Sequence, residues 1–274
     1  MVGVQITPPK VQPGLAGPAL MQLTSVSTPD QGNAPGLKSV SLDLCAGQIV
    51  GLAGVSGNGQ TALADLIGGL ISPASGRISL GDTTALDWSP RAALAASIAR
   101  IPEDRHKTGT IADFNLTENA ILETYLQPPF SLRGWMNWHA AEQVTRNIIK
   151  TYDVRCPGPQ TPIRLLSGGN MQKLILGRVL EPEPRIILAN QPVRGLDIGA
   201  VSYVHARLLD ARARGAAILL ISEDLDEITT LADVIHVMSR GRLSPGFARG
   251  TKSLAELGAW MAGHGFDGDR SDAA

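Results

Sequence analysis

Leu165-Leu166-Ser167-Gly168-Gly169-Asn170-Met171-Gln172-Lys173 is the stretch whose reading decides the fold. A proline-rich approach (Pro157, Pro159, Pro162) leads into it, and an apolar, helix-favouring run from Leu174 to Leu180 leads out. That run stops at Glu181-Pro182-Glu183-Pro184. Ser167 is a good N-cap, and the two glycines after it let backbone come close to another group. A helix that begins this way offers free N–H groups and a positive dipole end to an anion. On Ser-Gly-Gly alone, a capped surface helix is the plain expectation.

Working outward, a second glycine-rich loop lies upstream. Gln48 to Ala53 reads as a buried apolar strand, Gly54-Val55-Ser56-Gly57-Asn58-Gly59-Gln60-Thr61 as the loop, and Ala62 to Leu70 as a helix. Strand, glycine loop, helix is the context in which backbone amides cradle phosphates. Ile98 to Pro102 reads as a short strand running into Glu103-Asp104-Arg105-His106-Lys107. Downstream come a strand at 185–189, a loop to Asp197, a helix at 200–214, a strand at 217–222, a helix at 225–232 and a strand at 234–238. Strands that alternate with helices predict a parallel sheet covered on both faces. Met21 to Gly47 is short-patterned and β-like, broken by a turn at 29–33.

Two regions differ in character. Between about 111 and 166 apolar residues recur at helical spacing in Leu116–Leu126 and in Ala140–Tyr152. Six of the eleven aromatics fall here: Phe114, Tyr125, Phe130, Trp135, Trp138 and Tyr152. A small helical core accounts for some of them. Residues 1–20, with Pro8, Pro9, Pro13 and Pro18, read as a linker and suggest a chain cut from something longer. Residues 263–274 read as a polar, disordered tail.

Taken together, L-S-G-G-N-x-Q-K and the elements around it resemble the ATP-binding-cassette (ABC) ATPases, in the variant of simple-sugar and nucleoside importers. The matching stretches are Gly54–Thr61, Ile101–Lys107, Leu166–Lys173, Gln191–Gly199 and Ser222–Glu227. The resemblance covers about Met21 to Leu243 and is closest to the second, degenerate nucleotide-binding domain of two-cassette subunits. It implies an α/β fold: a P-loop NTPase (RecA-like) cassette spanning 21–262, with a parallel-sheet core, a small β-subdomain and an inserted helical subdomain at about 111–166. It also implies that the helical subdomain docks on transmembrane permease subunits, and that cassettes pair head to tail with ATP between one phosphate loop and the other signature.

Against that pattern the chain's own phosphate site departs at several positions. Gln60 replaces the lysine of G-x-x-x-x-G-K-[ST], so a charge-assisted hydrogen bond becomes a neutral one. Thr61 still offers a hydroxyl to Mg²⁺. Asn190 and Gln191 stand where an aspartate for Mg²⁺ and a glutamate for the attacking water are expected, and an amide is no general base at neutral pH. Glu223 takes the place of a histidine, and Glu103 that of a glutamine near the metal. No aromatic precedes Trp88 to stack adenine. Phosphoryl transfer rests largely on electrostatics, so these losses predict little or no turnover by the isolated chain. The signature is intact. Ser167, Gly168, Gly169, Asn170 and Gln172 are expected at the ATP of a partner cassette, in the same polypeptide or a separate one, with Asp197 at the interface between cassettes.

Composition narrows the alternatives. With 43% hydrophobic and 18% charged residues the chain is globular, and a net charge of −1 speaks against nucleic-acid binding driven by bulk charge. No run reaches membrane-span length, and Cys45 and Cys156 lack metal spacing. The expected place is the cytoplasm, peripheral on the inner face of the membrane. A soluble, non-transport ABC protein working on ribosomes or DNA and a nucleotide-free interaction module are the alternatives.

Overall fold

The computed structural model describes residues 14–32 and 34–266. Among the described residues, thirteen strands and eight α-helices follow one another. They run β1 (Ala19–Ser27), β2 (Val40–Cys45), β3 (Ile49–Ala53), α1 (Gln60–Ile67), β4 (Ser75–Leu80), β5 (Thr83–Thr84), α2 (Pro90–Ala95) and β6 (Ile98–Ile101). Then come α3 (Leu116–Ala120), β7 (Ser131–Leu132), β8 (Trp135–Met136), α4 (Trp138–Thr151), α5 (Gly168–Leu180), β9 (Ile186–Asn190) and α6 (Ile198–Ala213). Last are β10 (Ala217–Ser222), α7 (Leu225–Leu231), β11 (Val234–Ser239), β12 (Arg242–Leu243), β13 (Phe247–Ala248) and α8 (Leu254–Met261). The described residues fall into two compact units: those up to 100, 184–191 and those from 208 onward form the first, and 101–183 with 192–207 the second.

The first unit is built on two sheets. The strand order β12-β11-β3-β10-β9-β6 defines the larger, with β13 pairing on β11. Within it β11, β3, β10 and β9 run parallel in register, and β12 and β13 are antiparallel additions to β11. Their sequences explain the placement. Ile49–Ala53 and Ala217–Ser222 are buried at every position, which a strand covered on both faces requires. The second sheet, β2-β1-β4-β5, is antiparallel, and β2 alternates buried and exposed residues as a sheet wetted on one face must. Leu23, Leu42 and Leu44 from this sheet join Leu52, Leu63, Leu66 and Leu219 in one apolar cluster.

Asp233, at the start of β11, ties several elements of this unit together. Its carboxylate accepts from the backbone N–H groups of Gly14 and Ile49 and pairs with Arg212 and Arg249. Gly14 and Gly17 lie in the proline-rich leader, yet Gly17 N–H also donates to Ala46. At the other end Phe266 stacks edge-on against Trp260, with ring centroids 5.0 Å apart. The remainder of the expected linker (1–13) and tail (267–274) lies outside the described residues.

The second unit packs α3, α4 and α5 on one another. The helical spacing of Leu116–Leu126 yields a helix only from Leu116 to Ala120, closed at Ile121. Ile121 leaves the helix to pack with Phe130 and Ala141, so the chain turns there and returns through the β7-β8 hairpin. Burial of that small cluster outweighs the local periodicity. Large apolar residues of this segment stay out, among them Trp135 at 82% exposed, Leu126 and Leu132 each at 71%, and Trp138 at 52%. No helix among the described residues is long and apolar enough to cross a membrane.

Candidate functional site

Two sites, one in each unit, gather the residues singled out in the sequence. In the first unit the parallel register sets Ala53 beside Ser222, and Ile221 beside Asn190, so three strands end together. The loop Gly54–Thr61, Gln191 and Glu223 leave from those ends, the side of a parallel sheet on which ligands bind. Gly59 must be glycine. Its φ is +114°, and a Cβ would lie 3.1 Å from both the Gly241 Cα and the Met238 sulfur.

Gln60 is buried and folds back on its own loop. Its Oε1 accepts from the Asn58 N–H at 3.0 Å, and its Nε2 donates to the Val55 carbonyl at 2.9 Å. Asn58 donates its side-chain amide to the same Val55 carbonyl and accepts from the Arg240 N–H. The loop is therefore closed by neutral amides, and one N–H that would face an anion is already used. The Thr61 hydroxyl stands at an exposed position, Asn190 is half-buried, and Gln191 sits in a left-handed conformation with φ +49°. A hydroxyl and two neutral amides are a poor donor set for Mg²⁺, which favours carboxylate oxygens. Among the described residues no group of three or more His, Cys, Asp or Glu side chains is placed to hold a metal ion. Glu223 is exposed.

In the second unit Ser167 caps α5, as its sequence position demands. Its Oγ accepts from the Asn170 side-chain amide at 3.0 Å and from the Asn170 N–H at 3.5 Å. Asp197 caps α6 in the same way, with Oδ1 accepting from the Ala200 N–H. The two helix N-termini open on one cavity of about 350 Å³, lined by Ser167, Gly169, Asn170, Asp197 and Ala200, with Arg155, Lys173 and Tyr203 beyond. Lys173 holds Asp153 at 2.8 Å and lies over the Tyr203 ring, and this pairing keeps the Asp153 carboxyl below the usual carboxylate range. Two dipole ends and the cations Arg155 and Lys173 favour an anion there, offset by the Asp197 carboxylate in the lining and by Asp153 on Lys173.

Not every residue expected at the signature reaches this cavity. Gln172 is buried on the opposite side of α5 and donates to the Pro192 carbonyl at 2.8 Å. Gly168 faces Arg105 instead, whose guanidinium nitrogen would lie 3.0 Å from a Cβ there. Arg105 donates to the Arg194 carbonyl, and Arg194 pairs with Glu103. Arg105, Arg155 and Tyr203 are residues that the sequence reading missed. Arg105 and its neighbours Glu103 and Lys107 stood within a quoted motif, but nothing local to Arg155 or Tyr203 pointed to the cavity.

A phosphate loop leaving a parallel sheet, together with a capped Ser-Gly-Gly-Asn helix, defines a P-loop ATP-binding cassette. The chain belongs to the ABC transporter family, which it matches over residues 37–194. It is 38% identical over 247 residues to the guanosine import ATP-binding protein NupO of Bacillus subtilis, covering 90% of this chain and 48% of that protein. It is 40% identical over 227 residues to the nucleoside import ATP-binding protein NupA of Lactococcus lactis, covering 83% and 45%. The chain thus spans about half the length of the curated relatives it matches. Among solved structures, a dimeric post-hydrolysis ATP-binding cassette bound to ADP and phosphate superposes with a TM-score of 0.70 at 22% identity, over 83% of this chain and 98% of that one.

Proposed function

We propose that this chain is the impaired cassette of an importer ATPase for nucleosides or simple sugars. Its signature completes the ATP site of a partner cassette, and its own phosphate loop contributes little to turnover. The observation that carries this reading is the contrast between the two sites. The Ser167–Gly169 end of α5 opens on a cavity that a second helix N-terminus also faces, whereas Gln60 closes the phosphate loop on itself. Ser167 and the helix amides would meet the terminal phosphate of ATP held, with Mg²⁺, by the partner. Asp197 would stand at the cassette interface. The relatives named for guanosine and nucleoside import support the substrate class. Exposed Trp135, Leu132 and Leu126 suit docking on a permease, which would hold the chain at the inner face of the membrane. The same loop that matched the second cassette in sequence favours that place for this chain.

Gly169→Asp tests the proposal. A Cβ at Gly169 meets only Ala200, at 3.8 Å, so the side chain fits. An acid in the first turn of a helix is neutral or stabilising by about 0.3–1 kcal/mol. Its charge would oppose a triphosphate, with a repulsion of roughly 4 kcal/mol at 4 Å and an effective dielectric near 20, and the cationic lining reduces that. The native complex, purified through a tag on this chain, should lose ATPase by at least about a hundredfold while this chain's melt is unchanged. Unchanged ATPase and melt would sink the half-site reading and leave an interaction module.

A further inference from the structure

We infer that Asn170 is a positioning residue that forces the Ser167 hydroxyl to act as a donor toward the cavity. The inference rests on the half-site reading above and extends it to a residue whose role that reading leaves open. Three hydrogen bonds carry it. The Arg155 N–H donates to Asn170 Oδ1 at 2.9 Å. A backbone N–H is a donor only, so it fixes which end of the amide is oxygen. The other end, Nδ2, therefore donates to Ser167 Oγ at 3.0 Å. The Asn170 backbone N–H approaches the same oxygen at 3.5 Å.

A serine hydroxyl has two acceptor lone pairs and one hydrogen. At Ser167 the Asn170 side-chain amide takes one acceptor direction at 3.0 Å and the Asn170 N–H approaches the other at 3.5 Å, which leaves the hydroxyl hydrogen to be given to another group. Ser167 and Asn170 both line the cavity, and Ser167 is exposed there. The hydroxyl thus stands ready as a donor to an anion before any ligand arrives. An N-cap serine without such a partner is free to rotate and must lose that freedom on binding. Arg155 lies fifteen residues before Asn170, in the segment beyond α4. The segment after α4 thereby sets the direction of a hydroxyl on α5.

A purely structural role for Asn170 would be to tether that segment to α5. A double-mutant cycle separates the two. The native complex, purified through a tag on this chain, is assayed for kcat/KM with ATP. Asn170→Ala should lower it about tenfold in the wild-type background and less than about twofold when Ser167 is already alanine. Asn170→Asp is the second variant. It keeps the bond from the Arg155 N–H, so the tether survives, but its other oxygen accepts from the Ser167 hydroxyl and turns the donor away. It should lower kcat/KM at least as much as Asn170→Ala, with an unchanged melt. Equal losses in both backgrounds, or full activity of Asn170→Asp, would overturn the positioning role. If Ser167→Ala and Gly169→Asp both leave ATPase intact, the half-site reading itself falls. Loss with Gly169→Asp alone leaves the half-site standing and removes only the role given to Ser167 and Asn170.

Discussion

At the scale of the residue, one substitution in the phosphate loop has two consequences. Gln60 lacks the charge of lysine, and its amide also uses the Asn58 N–H that an anion would need. Gln60→Lys should reverse both. An ammonium can still donate to the Val55 carbonyl but cannot accept from Asn58, so that N–H is released. A hydrogen bond to a charged group exceeds a neutral one by about 1–1.5 kcal/mol, so affinity for a fluorescent ATP analogue should rise roughly tenfold. Turnover should stay at background, because Asn190 and Gln191 still bring no carboxylate. Equilibrium titration beside an ATPase assay checks both halves. Affinity equal to wild type would mean that neither the closed loop nor the missing charge sets the limit.

At the scale of the element, the stability of the first unit converges on one carboxylate. Asp233 is 8% exposed and joins the leader at Gly14, the start of β3 at Ile49, the end of α6 at Arg212 and the turn after β13 at Arg249. Desolvation by burial lowers the Arg249 pKa, and the Asp233 carboxylate opposes that shift. Removing one member of a buried charge cluster is far worse than never having built it. Asp233→Ala should destabilise the chain by about 3 kcal/mol and lower its melting temperature by roughly 6–12 °C. Asp233→Asn, which keeps one acceptor for the backbone N–H groups, should lose less. Thermal denaturation of the three proteins decides it, and a melt of Asp233→Ala within about 2 °C of wild type would contradict the cluster's role.

At the scale of the whole molecule, the proposed reading gives each unit half of what an ATP site requires. On that reading the first brings a phosphate loop with Gln60 in place of lysine, and the second a signature that serves a partner's nucleotide. The purified chain alone should therefore hydrolyse ATP at background rates. A Mg²⁺-dependent turnover of even about one per second, the low end of ordinary enzyme rates, would refute that if variants in Gly54–Thr61 abolished it.

The sequence by itself determined the class of fold and the position of both loops. A buried strand before a glycine-rich loop and a Ser-Gly-Gly cap before an apolar helix are local signals. They depend on backbone conformation and capping within a few residues, and such signals survive without tertiary context. The same holds for the neutral amides at Gln60, Asn190 and Gln191, whose chemistry is fixed by residue type. Other local signals were there to be read: Ser89-Pro90 announces α2, which Ser89 caps, and Arg133-Gly134, both at positive φ, make the hairpin turn between β7 and β8. Only the tertiary structure decided where side chains turn. Periodicity carried a helix past Ile121, and the cluster with Phe130 and Ala141 ended it. Gln172 and Asn170 sit two residues apart in one motif, yet one faces the interior and the other the cavity, because a helix turns 100° per residue. The bond from Arg155 to Asn170 and the gathering of Gly14, Ile49, Arg212 and Arg249 on Asp233 join residues from 15 to 219 positions apart. No spacing rule spans such distances, since they are set by how sheets and helices pack.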